Sequence, residues 1–222
     1  MKPQLSHTDA RRITSHWPLI SGIGSLALAV LLGVLIATRN SPLSLDQVVL
    51  SDFVNIRVNF LTVPALALNF IGGGWFGVFV VPLGGALAFF IAKRRWAALY
   101  FLVASALSAG VVQLLKTTFG RARPGEILVT ADLGSFPSGH VANATTLAVV
   151  LIILLQHRWV WIVGIIYTIL MMMSRTYLGA HWLSDTIGGA LVGVGVAVIL
   201  WAPFARKLSA ETQAIASRRH ER

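Results

Sequence analysis

The chain has 222 residues, of which 56% are hydrophobic and only 12% charged, and its mean hydropathy is +0.76, far above that of a soluble globule. A soluble enzyme is excluded on that ground. The formal charge of +10, from 18 Lys and Arg against 8 Asp and Glu, fits a bilayer protein with basic cytoplasmic loops better than a nucleic-acid binder, so no nucleic-acid partner is expected. The chain has no Cys, which removes disulfides, thiolate nucleophiles and zinc–thiolate sites.

A helix needs about 20 apolar residues to cross the bilayer. In chain order, residues 17–37, 75–92, 97–115, 139–156, 159–176 and 181–204 meet or approach that length, predicting an all-α integral membrane protein with six transmembrane helices in one bundle, a single domain over 1–222. The first run follows Arg11 and Arg12 and is too long for the apolar region of a cleaved signal peptide, so it reads as an uncleaved anchor.

Between spans one and two, segment 43–74 carries Leu45, Val49, Phe53, Ile56 and Phe60 at helical spacing, interrupted by Asp46, Asp52, Asn55 and Arg57. That pattern predicts an amphipathic helix lying on the membrane. Residues 61–71 are too short to span, hold Pro64 and run into Gly72-Gly73-Gly74, and so read as re-entrant or interfacial. The polar segment 207–222 reads as a cytoplasmic tail.

In this layout, Lys2, Arg11, Arg12, Lys93, Arg94, Arg95, Arg158, Arg206, Lys207, Arg218, Arg219 and Arg222, 12 of the 18 bases, fall on one side. The positive-inside rule then predicts that both termini are cytoplasmic.

Ionisable residues are costly in a bilayer, so their positions carry functional information. Three clusters lie at span ends on the opposite, non-cytoplasmic side: Lys116 to Pro124 (KTTFGRARP), Phe136 to His140 (FPSGH) and Ser174 to Asp185 (SRTYLGAHWLSD). Their residue types suit a phosphate ester. Lys116, Arg123 and Arg175 supply fixed cations, the two Arg as bidentate forks. Ser138 stands where the fourth span begins, as an N-cap or a hydroxyl donor to the ligand. Gly139 allows close backbone approach at that helix N-terminus. His181 and Asp185, four residues apart, share a helix face, so the carboxylate can orient the imidazole as a nucleophile. His140, from another loop, is placed as the second proton-transfer group.

The order and spacing resemble the signature of the type-2 phosphatidic acid phosphatase family of integral membrane lipid phosphatases. That signature is a Lys, six residues, Arg-Pro; then Pro-Ser-Gly-His; then Ser-Arg, five residues, His, three residues, Asp. Lys116 with Arg123-Pro124, Pro137-Ser138-Gly139-His140, and Ser174-Arg175 with His181 and Asp185 match every position.

The resemblance implies a phosphohistidine at His181, with His140 as general acid and then base, and Asp185 as the partner of His181. Lys116, Arg123, Arg175, Ser138 and Gly139 would bind the phosphoryl group. It implies no metal and no cofactor. The implied substrate is a lipid phosphate or diphosphate, with undecaprenyl diphosphate ranked ahead of phosphatidylglycerol phosphate and phosphatidic acid, in the bacterial inner membrane with the site facing outward. Two alternatives share the same cations: phosphotransfer to another acceptor, and transport of an anionic lipid without chemistry. Oligomeric state stays open.

Arg121 occupies a position that the signature leaves free and is expected to contact a headgroup. Tyr177 is expected to be an interfacial aromatic. The sequon at Asn143 falls within a span and carries no modification.

Overall fold

The α1 helix, His7–Ala37, is the first of eight helices in a computed structural model that describes residues 7–39, 41–132 and 134–220, with side chains from residue 16 to 217. The positions of Lys2 and Arg222, and the side chains of Arg11, Arg12, Arg218 and Arg219, on which part of the charge asymmetry rests, lie outside the described residues. After α1 come α2 (Ser44–Asn55), α3 (Asn59–Gly72), a five-residue π-helical turn (Phe76–Val80) leading into α4 (Val81–Ile91), α5 (Arg95–Phe119), α6 (Gly139–Leu155), α7 (Arg158–Tyr177) and α8 (Leu183–His220). The described residues contain no strand.

The outer surface is apolar. On α7, Trp161, Ile162, Ile165, Ile166, Ile169 and Leu170 are exposed, whereas Gly164, Met171, Ser174 and Arg175 face inward. The burial pattern is inverted relative to a water-soluble bundle, as expected where the solvent is lipid.

Among the described residues, four helices are long and apolar enough to cross a membrane: His16–Ala37, α5, α7 and Leu183–Ser217 of α8. A fifth crossing exists if α3 and the helix Phe76–Ile91, bent by 50° at Gly73-Gly74, count as one broken span. The remaining expected span, 139–156, corresponds to α6, an apolar helix of 17 residues. The predicted tail is not a separate element: α8 runs on through it to His220.

The stripe from Leu45 to Phe60, predicted as one amphipathic helix, is divided between two helices. The helix breaks at Ile56, and Phe60 belongs to the next helix, α3. Asp46, counted among the residues interrupting the apolar stripe, is buried. The break is held by Tyr177 of α7, whose hydroxyl donates to Val58 O at 3.1 Å and accepts from Val58 N at 3.1 Å. Tyr177 is therefore a buried anchor for α3 and not an interfacial aromatic.

α6 lies at the centre, between α5, α7 and α8. Its contact with α8 depends on glycines: a Cβ at Gly189 would stand 2.5 Å from Ser138 O, and one at Gly193 2.7 Å from Ala142 O. Small residues four apart let the two backbones approach, the usual basis of helix association in lipid. Away from the site, Tyr100 and Phe101 of α5 pack with Leu147, Val150 and Leu154 of α6 and Ala197 of α8. The Tyr100 hydroxyl donates to Ala197 O at 2.8 Å.

Candidate active site

Three chain reversals bring the polar clusters to one end of the bundle. α5 stops at Gly120, whose left-handed φ of 54° is open to glycine at little cost, and Gly120 N donates to Lys116 O at 2.9 Å. The chain then folds back so that Arg121 and Arg123 lie across the helix ends. Ser138 N donates to Asp185 O at 2.9 Å, joining the start of α6 to the start of α8. Leu128 N donates to Leu178 O at 2.9 Å, tying the α5–α6 connection to the α7–α8 turn.

A cavity of about 480 Å³ results. Lys116, Arg123, Arg175, Gly139, His140 and His181 line it together with Asp132, Asn143, the Gly72–Gly74 turn, Val78 and Phe79. Of the eight residues predicted from sequence, six line this space. Ser138 and Asp185 are fully buried beside it.

His181 precedes α8 and is buried. Its Nδ1 lies 2.8 Å from Ser135 O, a carbonyl, so Nδ1 carries the proton and donates. Nε2 then holds a lone pair, 3.2 Å from the Arg123 guanidinium. Burial pushes the imidazole down to about 4, against the pull of Asp185, so the ring is neutral near pH 7. The expected Asp185 partnership takes a different form: Asp185 Oδ2 is 3.6 Å from Nδ1 and instead accepts from Trp182 N at 2.9 Å. A backbone carbonyl fixes the tautomer, and the carboxylate acts as a nearby charge.

His140, in the first turn of α6, points Nε2 at Asn69 O of α3, 3.1 Å away. Gly73 is required here, because a Cβ would come within 2.2 Å of that nitrogen. Arg175 donates from one terminal nitrogen to Asn69 Oδ1 at 2.5 Å, while its Nε is buried without a partner. Ser138 stands at the N-cap position of α6 but makes no side-chain capping bond, and its buried Oγ also lacks a partner. Two unpartnered buried donors beside the same cavity are costly in isolation and suit an anionic ligand that accepts from them.

Lys116 Nζ donates to Gly134 O at 2.9 Å and meets Asp132 Oδ1 at 3.1 Å. Arg123 donates to Gly134 O at 3.0 Å, to Ala180 O at 2.6 Å and to Asp132 Oδ1 at 2.7 Å.

Sequence reasoning missed a second layer. Arg121 does not reach for a headgroup: its guanidinium pairs with Asp46 Oδ2 at 2.7 Å, with Asp185 Oδ1, and donates to Ser184 Oγ at 2.8 Å. Asp46 accepts in addition from Ser184 N at 2.8 Å and Ser184 Oγ at 2.6 Å. Asn143, whose sequon falls within a span, donates to Gly72 O at 3.2 Å and Gly77 O at 2.9 Å, holding the π-helical turn against α6. A charged residue inside an otherwise apolar stripe was the available signal for Asp46. Among the described residues, no three His, Asp or Glu side chains converge as a metal-ligand group.

The family model described as the PAP2 superfamily matches residues 97–208, which contain all three clusters. Phosphatidylglycerophosphatase B of Bacillus subtilis (strain 168) is 29% identical over 165 residues, covering 70% of this chain and 81% of that protein. The undecaprenyl-diphosphatase of Sulfolobus acidocaldarius is 48% identical over 59 residues, but the match spans only 27% of this chain and 28% of that protein. Among solved structures, the transmembrane PAP2 type phosphatidylglycerolphosphate phosphatase from Bacillus subtilis superposes with a TM-score of 0.69 at 25% identity, over 84% of this chain and 96% of that one.

Proposed function

The chain belongs to the PAP2 superfamily, and from that premise we propose that it is a lipid phosphatase that removes phosphate from a membrane lipid through a phosphohistidine at His181. The observation that carries this reading is the state of His181. Its Nδ1 proton is committed to Ser135 O, and its unprotonated Nε2 lies 3.2 Å from the Arg123 guanidinium in a cavity also lined by Lys116 and Arg175. The cations suit a phosphoryl group, and the apolar lining at Val78, Phe79, Ala109 and Val112 suits the adjoining lipid chain.

In the first step, the Nε2 lone pair attacks phosphorus and the bond from phosphorus to the leaving oxygen breaks. His140 delivers the proton that the departing oxygen needs. In the second step, water attacks the phosphohistidine, His140 takes its proton, and the N–P bond breaks to release phosphate. Lys116, Arg123, Arg175, Ser138 and the Gly139 amide hold the phosphoryl oxygens, with the unpartnered Arg175 Nε and Ser138 Oγ finding acceptors there. Asp185 stabilises the charge that forms on His181. No step calls for a metal or cofactor.

Undecaprenyl diphosphate is the first-ranked substrate, followed by phosphatidylglycerol phosphate and phosphatidic acid. On a six-span layout, the distribution of Lys and Arg supports cytoplasmic termini and a site on the outer face of the membrane, expected to be a bacterial inner membrane. The test is release of inorganic phosphate by detergent-purified protein with chelator present, wild type against His181→Ala, on all three lipids. Release that survives the chelator and disappears in the variant supports the mechanism and ranks the lipids. Activity that returns only with magnesium refutes it.

A further inference from the structure

Two of the three cations assigned to the phosphoryl group, Lys116 and Arg123, are not free. The Asp132 carboxylate bridges them, with Oδ1 3.1 Å from Lys116 Nζ and 2.7 Å from Arg123, and Oδ2 3.2 Å from Lys116 Nζ. The burial is asymmetric: the Lys116 and Arg123 side chains are 5% and 13% exposed, while that of Asp132 is 58% exposed. An acid on the exposed connection between α5 and α6 thus reaches into an otherwise buried cationic face. Asp132 lies outside all three motif clusters.

We propose that Asp132 is a built-in competitor for phosphate, its carboxylate occupying the anion-binding face of Lys116 and Arg123 and setting the affinity of the site for substrate and product. The inference rests on the reading of this cluster as the phosphoryl site. A phosphoryl oxygen and a carboxylate oxygen cannot share the same two donors without strong repulsion, so binding requires the carboxylate to move out.

The surroundings permit that movement. Gly134 O accepts from both Lys116 Nζ and Arg123, Ala180 O accepts from Arg123, and the backbone carbonyl of Asp132 accepts from Arg123 Nε at 3.0 Å. Four backbone contacts keep the cations in place when the side chain leaves. The carboxylate is therefore a tenant of the site and not its scaffold. Arg175 Nε and Ser138 Oγ, which Asp132 does not reach, remain for the incoming phosphoryl group. Such a competitor keeps free phosphate from lingering on a strongly cationic site after each turnover.

The experiment measures competitive inhibition of lipid hydrolysis by orthophosphate and by orthovanadate, in wild type, Asp132→Asn and Asp132→Glu. The Asn variant keeps the shape and removes the charge. Both inhibition constants should fall by roughly threefold to fivefold, the upper part of the range for a half-exposed charge pair, and KM should fall with them. The Glu variant retains the charge and should stay near wild type, which separates charge from fold damage. Weaker inhibition in Asp132→Asn would mean that the carboxylate positions the cations, and unchanged inhibition that it does not compete; either overturns the proposal alone. A wild-type enzyme insensitive to both anions would overturn the phosphoryl-site reading and this inference together.

Discussion

Asp46 on α2 and Arg121 beyond the end of α5 form a buried ion pair of 2.7 Å, and the same guanidinium also pairs with Asp185 at the start of α8. The orientation of the proposed nucleophile's neighbour thus depends on a helix that contributes nothing to the cavity lining. Asp46 also bonds the amide and hydroxyl of Ser184, acting as a cap for α8 supplied by another helix.

Removing Asp46 should loosen this joint. Asp46→Ala leaves Arg121 with one carboxylate instead of two and frees the Ser184 amide; loss of charge-assisted bonds of this kind costs about 1–3 kcal/mol. Asp46→Asn, which retains an acceptor for Ser184 N, should lose less. Thermal unfolding in detergent gives the stability order. A fall in kcat larger than the change in KM, partly restored in the Asn variant, marks positioning of Asp185.

His181→Ala should lower turnover by about 10³-fold or more, since it removes the proposed nucleophile, whose Nε2 lone pair is set by the Nδ1–H bond to Ser135 O, and His140 turns its own Nε2 to Asn69 O. Acid-stable protein is the wrong thing to look for: a phosphohistidine is acid-labile and base-stable, so trapping with labelled substrate and an alkaline quench is the direct measurement. His140→Ala should affect poor leaving groups most. Equal activity of both variants with wild type would remove the assignment.

The acid limit of activity should lie low. Burial holds the His181 imidazole at about 4, below the ordinary 6.5, so the free base persists as pH falls through the usual histidine range. Protonation of Nε2 removes the attacking lone pair, so kcat/KM should drop only as pH falls through about 4. A profile of kcat/KM against pH checks this, and an acid limb centred near 6.5 that persists in His140→Ala would show that His181 is far less shielded.

The α6–α8 contact predicts which glycine matters. At Gly193 a Cβ would meet Ala142 O and Thr145 Cβ, both at 2.7 Å, and neither can swing aside; at Gly24 it would meet nothing within 4 Å. Gly193→Ala should cost about 1–3 kcal/mol by forcing the helices apart. Activity should fall with it, because His140 and Asp185 sit at the starts of those two helices. Gly24→Ala should leave both melting temperature and rate near wild type.

Much of the site is visible in the amino-acid sequence. Hydropathy marks the apolar runs because a bilayer admits little else, and each polar cluster stands out by its cost at a span end. Loops at one end of a bundle are neighbours, so convergence of Lys116, Arg123, Arg175, His140 and His181 follows from span order. Helical periodicity puts His181 and Asp185 on one helix face, whereas His181 stands just ahead of α8 and only Asp185 lies in its first turn. What periodicity cannot report is which partner each group takes among elements distant in the chain. Asp46 looks like one more polar interruption until α2 docks on α8 and buries it, and Arg121 looks like a surface base until two carboxylates enclose it. The Ser135 carbonyl takes the Nδ1 proton that spacing alone assigned to Asp185, and Asp132 lands on cations that the motif reserves for phosphate. Local sequence determined which residues face inward at the membrane's edge. Only the packing of α2, α3 and the α5–α6 connection against α7 and α8 decided their partners, because a hydrogen bond depends on a few tenths of an ångström that no spacing rule carries.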